Sequence, residues 1–486
     1  MGGGLIQLVS VGFEDLYLTN DPQVTFFKIV YKRHTNFSQE LIPQLYNSIP
    51  DFGKRVTCRL SKNGDLINRM YIYLELPNIP VFYDNTTDTP NQIKKLAWIK
   101  KIGYGIIKSV ELEIGGQLID KHYGDWFNIW EELTETCQRD TLNKLIGNVP
   151  DVYNFTNGKD TYKLFIPLKF WFCRNIGLSL PIIALYFNDI KIHVEFNELS
   201  KLIRKSATNY IEIDDNSVLF NEGDLITQTI DNVITTNIYS YYDFINKRLY
   251  YIKYKDSFVS GYNIYNSDGY YATPKTNATE AIFNITIPNL SIVRSNLLIN
   301  YIYLDNDERK RFVKSNHEYL IDFIQFEGEK TIYNNHIKLK LGYNHPCKEL
   351  IWVSQYVNIK NGNLNDLFNY TNSIENGESL IKRTKILLNG QVRVTDKNFF
   401  FYNYLQPIKT HTNSPSNGIN IYPFCINPED SQPSGSCNFS KMDDIVLEFS
   451  VSKDVDYNHP AIVRVYNNAY NVFRIIDGLS GLAFSN

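Results

Sequence analysis

The chain has 486 residues, 43% of them hydrophobic and 21% charged, values that set aside a disordered polymer and leave room for two or three packed domains. A net charge of −3 argues against a general nucleic-acid binder, and no apolar run reaches the roughly 20 residues of a membrane-spanning helix. Tyrosine (35) and phenylalanine (29) are abundant, a bias that favours strands over helices.

The chain opens on Gly2-Gly3-Gly4 and an apolar segment, residues 5–11, too short to cross a bilayer and without the basic start and cleavage site of a signal peptide. A turn at Asn20-Asp21-Pro22 precedes a run at 24–31 that is predicted as a strand. Residues 1–25 read as an apolar arm, for which a neighbouring subunit offers a place to lie. Strands are predicted at 55–60 and 66–76, joined through Asn63-Gly64, the residue pair of a type I′ turn. A hairpin follows around Gly115-Gly116, then a helix from Asp125 to Cys137 that Asp125 can cap, with Trp126, Trp130, Leu133 and Cys137 on one face. Residues 201–289, rich in asparagine and tyrosine, read as a large surface insertion with strands of its own. A strand at 297–304 leads into a charged helical connector, 305–315.

Three features of the first half then recur in order. The strand pair 55–60 and 66–76 returns as 336–341 and 350–353. The hairpin 107–118 around Gly115-Gly116 returns as 381–392 around Asn389-Gly390. The strand after Asp189 returns after Asp444. A duplicated β domain explains this order, and short strands with turn signals between them make each copy a sandwich of two antiparallel sheets. The boundaries read as 26–304 for the first copy, with its insertion, and 316–486 for the second.

Catalytic signatures are missing. There is no P-loop, dinucleotide fingerprint, HExxH or GxSxG, so no catalytic, cofactor-binding or metal residue is nominated and no enzyme is expected. His193 and Glu195 sit on one strand face, but the paired cysteines of the zinc-deaminase signature are lacking. His317 and His345 read as strand-end or turn residues. The six cysteines follow no metal spacing and read as mostly buried thiols of a reducing compartment, with a Cys425–Cys437 disulfide left open. Sequons at Asn85, Asn277, Asn284 and Asn289 are expected to stay unmodified in a chain made in the cytoplasm.

Several stretches resemble one family, the major capsid proteins of the large nucleocytoplasmic DNA viruses (iridoviruses, phycodnaviruses, mimiviruses). They are Gly2-Gly3-Gly4-Leu5-Ile6-Gln7-Leu8, Asp15-Leu16-Tyr17-Leu18-Thr19, Thr25-Phe26-Phe27-Lys28 and Arg33-His34-Thr35-Asn36-Phe37. Residues 170–174 with 177–185 are similar to that family's strand, turn and strand near the end of the first domain. Residues 301–321 resemble its inter-domain junction, 428–440 its C-terminal loop, and 470–486 the way such chains end. The resemblance implies an all-β fold of two tandem eight-stranded jelly rolls. It also implies a homotrimer whose pseudo-hexagonal capsomers tile an icosahedral shell. The implied partners are neighbouring capsomers, minor capsid proteins and an inner membrane layer, with no sequence-specific nucleic-acid contact. The implied place is the virion, assembled in host cytoplasm. An alternative within the same fold is a minor or attachment protein whose 201–289 insertion binds host glycans.

Overall fold

The computed structural model describes residues 3–83, 90–91, 94–135, 138–214, 218–281, 290–361, 364–374 and 377–484. Eight strands form a first sandwich: Phe37–Gln44 (β1), Arg55–Arg59 (β2), Leu66–Leu76 (β3), Ile107–Ile114 (β4), Gln117–Tyr123 (β5), Tyr162–Pro167 (β6), Ile190–Phe196 (β7) and Arg294–Leu304 (β8). One sheet runs β1-β8-β3-β6 and the other β2-β7-β4-β5, all pairs antiparallel. The second sandwich uses His317–Gln325 (β9), His336–Leu341 (β10), Pro346–Tyr356 (β11), Ile381–Leu388 (β12), Gln391–Asn398 (β13), Ile419–Pro423 (β14), Ile445–Val451 (β15) and Ala461–Ile476 (β16). Its main sheets run β9-β16-β11-β14 and β10-β15-β12-β13. Subtracting eight from each label reproduces the first sandwich, so the two copies share one jelly-roll topology.

The repeat extends to single hydrogen bonds. Gly115 and Gly116 have φ of 61° and 84°, and Asn389 and Gly390 have 49° and 73°, the positive pairs a two-residue I′ hairpin demands. In the first copy the Gly115 N–H donates to the Asp189 carbonyl at 2.9 Å, and in the second the Asn389 N–H donates to Asp444 at 2.7 Å. A Cβ at Gly116 would meet nothing within 4 Å, so Gly116→Ala isolates the backbone cost. It should destabilise the chain by about 1 kcal/mol, read as a lower urea midpoint at unchanged slope.

Asn63-Gly64 behaves otherwise. β2 and β3 lie in opposite sheets, so the connection is no hairpin, and neither residue has positive φ. Gly64 is required by closeness instead: a Cβ there would lie 2.9 Å from Cβ of Tyr301. The strand expected at 24–31 is also corrected. The first strand begins at Phe37, and Phe26 and Phe27 are 93% and 98% exposed, because no ladder is offered to that run. The arm instead holds a short helix, Gly3–Val9 (α1), and a turn of helix at Leu16–Thr19. Residues 170–185 are helical turns at Trp171–Arg174, Ile176–Leu178 and Ile182–Ala184 rather than two strands. Leu180 makes an isolated bridge to Ile67, and Pro181, with no N–H to give a ladder, follows it.

The helix expected from Asp125 spans Gly124–Thr134 (α2); Cys137 lies outside the described residues. Tyr123 occupies its cap position and Asp125 makes no cap bond. The helix Asn306–Lys314 (α3) connects the sandwiches, with Asp307 and Glu308 in its first turn and Arg311 and Lys314 in its last, the order its dipole favours.

Between β7 and β8 the insertion builds a seven-stranded sheet around the long hairpin Leu225–Ile230 and Val233–Asp243. Ile211, Ile226, Tyr242, Leu249, Tyr251 and Phe258 fill its own core, while Tyr265, Tyr270 and Tyr271 face outward. Ile252 and Tyr254 leave that core and join the second sandwich's.

Candidate functional site: the seam between the sandwiches and the exposed arm

The central strand β16 is buried along its first eleven residues because both of its faces are covered, one by its own sandwich and one by α2. On α2 the apolar residues Trp126, Ile129, Trp130 and Leu133 recur at helical spacing and pack on Ile351, Val353, Ile419 and Tyr466 of the second sandwich. The first copy's helix thus supplies part of the second copy's core.

A cation sits inside this apolar seam. The Arg464 side chain is fully buried; its Nη1 donates to Asp125 Oδ2 across the seam, and its Nη2 donates to Gln355 Oε1 at 2.7 Å. Its guanidinium lies 5.7 Å from the ring of Tyr370, whose hydroxyl donates to Asp125 Oδ1 at 3.4 Å. Two further ties repeat the pattern. Arg174 of the first copy and the buried Lys348 of the second both donate to Asp322 Oδ2 at 3.0 Å. Lys101 pairs with Glu132 at 2.8 Å, and Glu132 Oε2 accepts the Ser416 N–H at 2.8 Å.

Deeper in the second sandwich, His411 donates from Nε2 to Glu349 Oε2 at 2.9 Å and from Nδ1 to Glu429 Oε1 at 3.0 Å. A ring that donates from both nitrogens is an imidazolium. Burial alone would lower its pKa, but the two carboxylates outweigh that and hold it at about 9. Both glutamates are held below the ordinary carboxylate value against their own burial, chiefly by His411. The cluster pins residue 429 of the 428–440 loop to β11.

These groups clamp; they do not react. The seam cavity, about 370 Å³, is bordered by the carboxylates of Asp125, Glu195 and Glu329, and each is already committed, to Arg464, to Lys108 at 2.7 Å and to Lys360. A larger cavity of about 490 Å³ is bordered by Glu135 and Glu429, the latter held by His411. His193 and Glu195 do share the outer face of β7, yet each pairs elsewhere. His193 bonds Thr57 Oγ1 at 2.8 Å and Glu113 at 2.9 Å. His317 binds the Phe312 carbonyl at 2.7 Å at the end of α3, and His345 is a turn residue with φ of 68°. Among the described residues no group of three His, Cys, Asp or Glu could hold a metal, and no helix is long and apolar enough to cross a membrane. Asn277 is exposed and accepts from Ser260; Asn85, Asn284 and Asn289 lie outside the described residues.

Sequence reasoning missed Arg464 and His411 and gave Asp125 the role of a helix cap. A signal existed for the first: one arginine inside the strand Ala461-Ile462-Val463-Arg464-Val465-Tyr466 is a charge that burial forces to find a carboxylate.

The opposite surface character appears in the arm and the run that follows it. Leu8, Val9, Phe13, Leu18, Phe26, Phe27 and Ile29 are between 73% and 98% exposed, a density of bare apolar side chains that a monomer rarely carries. Further exposed apolar residues are Phe244 and Ile245 at an insertion hairpin tip and Phe400, Leu405 and Ile408 after β13.

Residues 25–246 match the family described as major capsid protein N-terminus, and residues 308–481 match the large eukaryotic DNA virus major capsid protein family. A probable capsid protein 4 of Acanthamoeba polyphaga mimivirus is 43% identical over all of this chain and 99% of its own length. The major capsid protein of Pyramimonas orientalis virus is 33% identical over the whole of both chains. Among solved structures, the Faustovirus major capsid protein superposes with a TM-score of 0.69 at 14% identity, covering 96% of this chain and 94% of that one, a likeness of fold. Two jelly rolls of one topology, ion pairs spent on holding them together, and relatives of full length agree: the chain belongs to the major capsid proteins of large eukaryotic DNA viruses, structural proteins and not enzymes.

Proposed function

We propose that three copies of this chain close around a threefold axis into a capsomer of nearly hexagonal outline, and that such capsomers tile the facets of an icosahedral shell. One observation carries the reading: both sandwiches in the chain have the same strand order, so three chains supply six equivalent β blocks. A cyclic contact of this kind closes on itself and leaves no free sticky end. The exposed apolar residues Phe400, Leu405 and Ile408 are material for an obligate interface, which typically buries roughly 2,000–5,000 Å². Contacts between capsomers can be weak singly, since each later one forms at high effective concentration.

The bare arm is assigned to a second tier of contacts, with neighbouring capsomers, with minor capsid proteins or with a membrane layer beneath the shell. Assembly in host cytoplasm suits the free thiols. Native mass spectrometry of the purified chain should give a trimer, and the chain lacking residues 1–20 should still give a trimer while failing to build shells. A stable monomer from the full chain would overturn the trimer, and loss of the trimer on truncation would overturn the assignment of the arm.

A further inference from the structure

Three thiols gather where the 428–440 loop meets the second sandwich. Cys425 and Cys347 are buried and Cys437 is partly exposed; all three are free. The Cys425–Cys437 pairing left open by the sequence is therefore not formed, and the strand register points to a different pair. The short strand Cys437–Asn438 runs antiparallel to the start of β11, with Pro346 opposite Asn438 and Cys347 directly opposite Cys437. Residues directly opposed in an antiparallel ladder have Cα atoms about 4.5 or 5.5 Å apart, inside the roughly 4.4–6.8 Å that a disulfide spans. Opposed side chains also leave the same face of the sheet. Both do so here, since Cys347 belongs to the second sandwich's core and Cys437 packs against it.

We infer that Cys347 and Cys437 form an oxidisable dithiol, a modification site that a small-molecule disulfide of the glutathione class converts into a cross-strand bond. Cys437, the more accessible sulfur, attacks one sulfur of the reagent. A mixed disulfide forms, the reagent's S–S bond breaks, and the departing thiolate takes the Cys437 proton. Cys347 then attacks the Cys437 sulfur and expels the second thiolate, which takes the Cys347 proton. Two protein thiols and one reagent disulfide give one protein disulfide and two reagent thiols.

The bond would act on the loop that touches both sandwiches. Its Ser431 accepts from Asn175 of the first copy at 3.1 Å, and its Asp430 carbonyl accepts from Lys348 at 3.2 Å. Oxidation ties the end of that loop covalently to the central sheet, where the reduced chain holds it by hydrogen bonds, by the buried ring of Phe439 and by the Glu429–His411 pair. Reduced chains therefore assemble with the loop held non-covalently, and an oxidising exterior adds the covalent tie afterwards. Burial keeps the Cys437 and Cys425 thiols protonated at neutral pH, the latter pushed up to about 11, so the reaction is slow there and quickens as pH rises.

The test exposes the full chain to oxidised glutathione at about pH 8, then alkylates under denaturing conditions and maps the peptides. The expected result is two fewer alkylated cysteines than the six of the reduced chain, a linked Cys347–Cys437 peptide, and a melting temperature raised by roughly 5 °C. Cys437→Ser should abolish the link and Cys425→Ser should leave it. A Cys425–Cys437 link, a stable glutathione adduct on Cys437, or six free thiols after exposure would each overturn the inference; these readouts come from the unsubstituted chain and need no variant to fold.

Discussion

Asp125→Ala is expected to cost about 3 kcal/mol, because it removes the carboxylate in direct contact with the fully buried guanidinium of Arg464. Glu329 Oε1 lies 3.7 Å from Nη1, but it is partly exposed and shared with Lys360; the other partners, the Gln355 amide oxygen and the face of Tyr370, are neutral, and at a side chain with no solvent exposure water cannot substitute. Asp125→Asn keeps a hydrogen-bond acceptor and should fall between alanine and wild type. The double variant Asp125→Ala with Arg464→Met should lose less than Asp125→Ala alone, since an apolar chain of similar length suits a buried site flanked by Val353, its ladder partner, and by the ring of Tyr370. Urea unfolding of the four proteins measures the coupling. If Asp125→Ala costs under about 1 kcal/mol, the pair is not what joins the sandwiches.

Such long-range ties mark the boundary of what the sequence conveyed. Local chemistry was legible: Gly115-Gly116 and Asn389-Gly390 announce their hairpins because few residues other than glycine and asparagine accept positive φ cheaply. The apolar stripe of Trp126, Trp130 and Leu133 announced a buried helix face. Asn63-Gly64 carries the same letters, yet serves a crossing between sheets where Tyr301 leaves no room for a side chain. Nothing within five residues distinguishes the two uses. The run at 24–31 has strand propensity without a partner strand, and propensity alone does not satisfy a backbone. Asp125 looked like a cap because the first turn of a helix favours aspartate; its partner lies in a strand 339 positions later.

His411 should give the protein a stability that declines toward alkaline pH. Its folded pKa of about 9 stands above the ordinary 6.5, so its contribution is complete below about 6.5 and is lost as pH rises to 9. At about 1.4 kcal/mol per unit, the loss is on the order of 3 kcal/mol. Glu349 and Glu429 act at the other end: their pKa values are lowered, so their contribution is present above 4.5 and is lost as pH falls through their folded values. The cluster is therefore at full strength between about 4.5 and 6.5. Lys360 opposes this trend. Burial lowers its pKa to about 7 from 10.5, which adds stability as pH rises through that interval. The raw pH profile mixes the two, and the difference between wild type and His411→Gln separates them. Between pH 6.5 and 9 the gap in melting temperature should narrow steadily, since the variant has no imidazolium to lose. A gap that stays constant across this range would mean that His411 is not charged in the folded chain and that its two carboxylate contacts are held some other way.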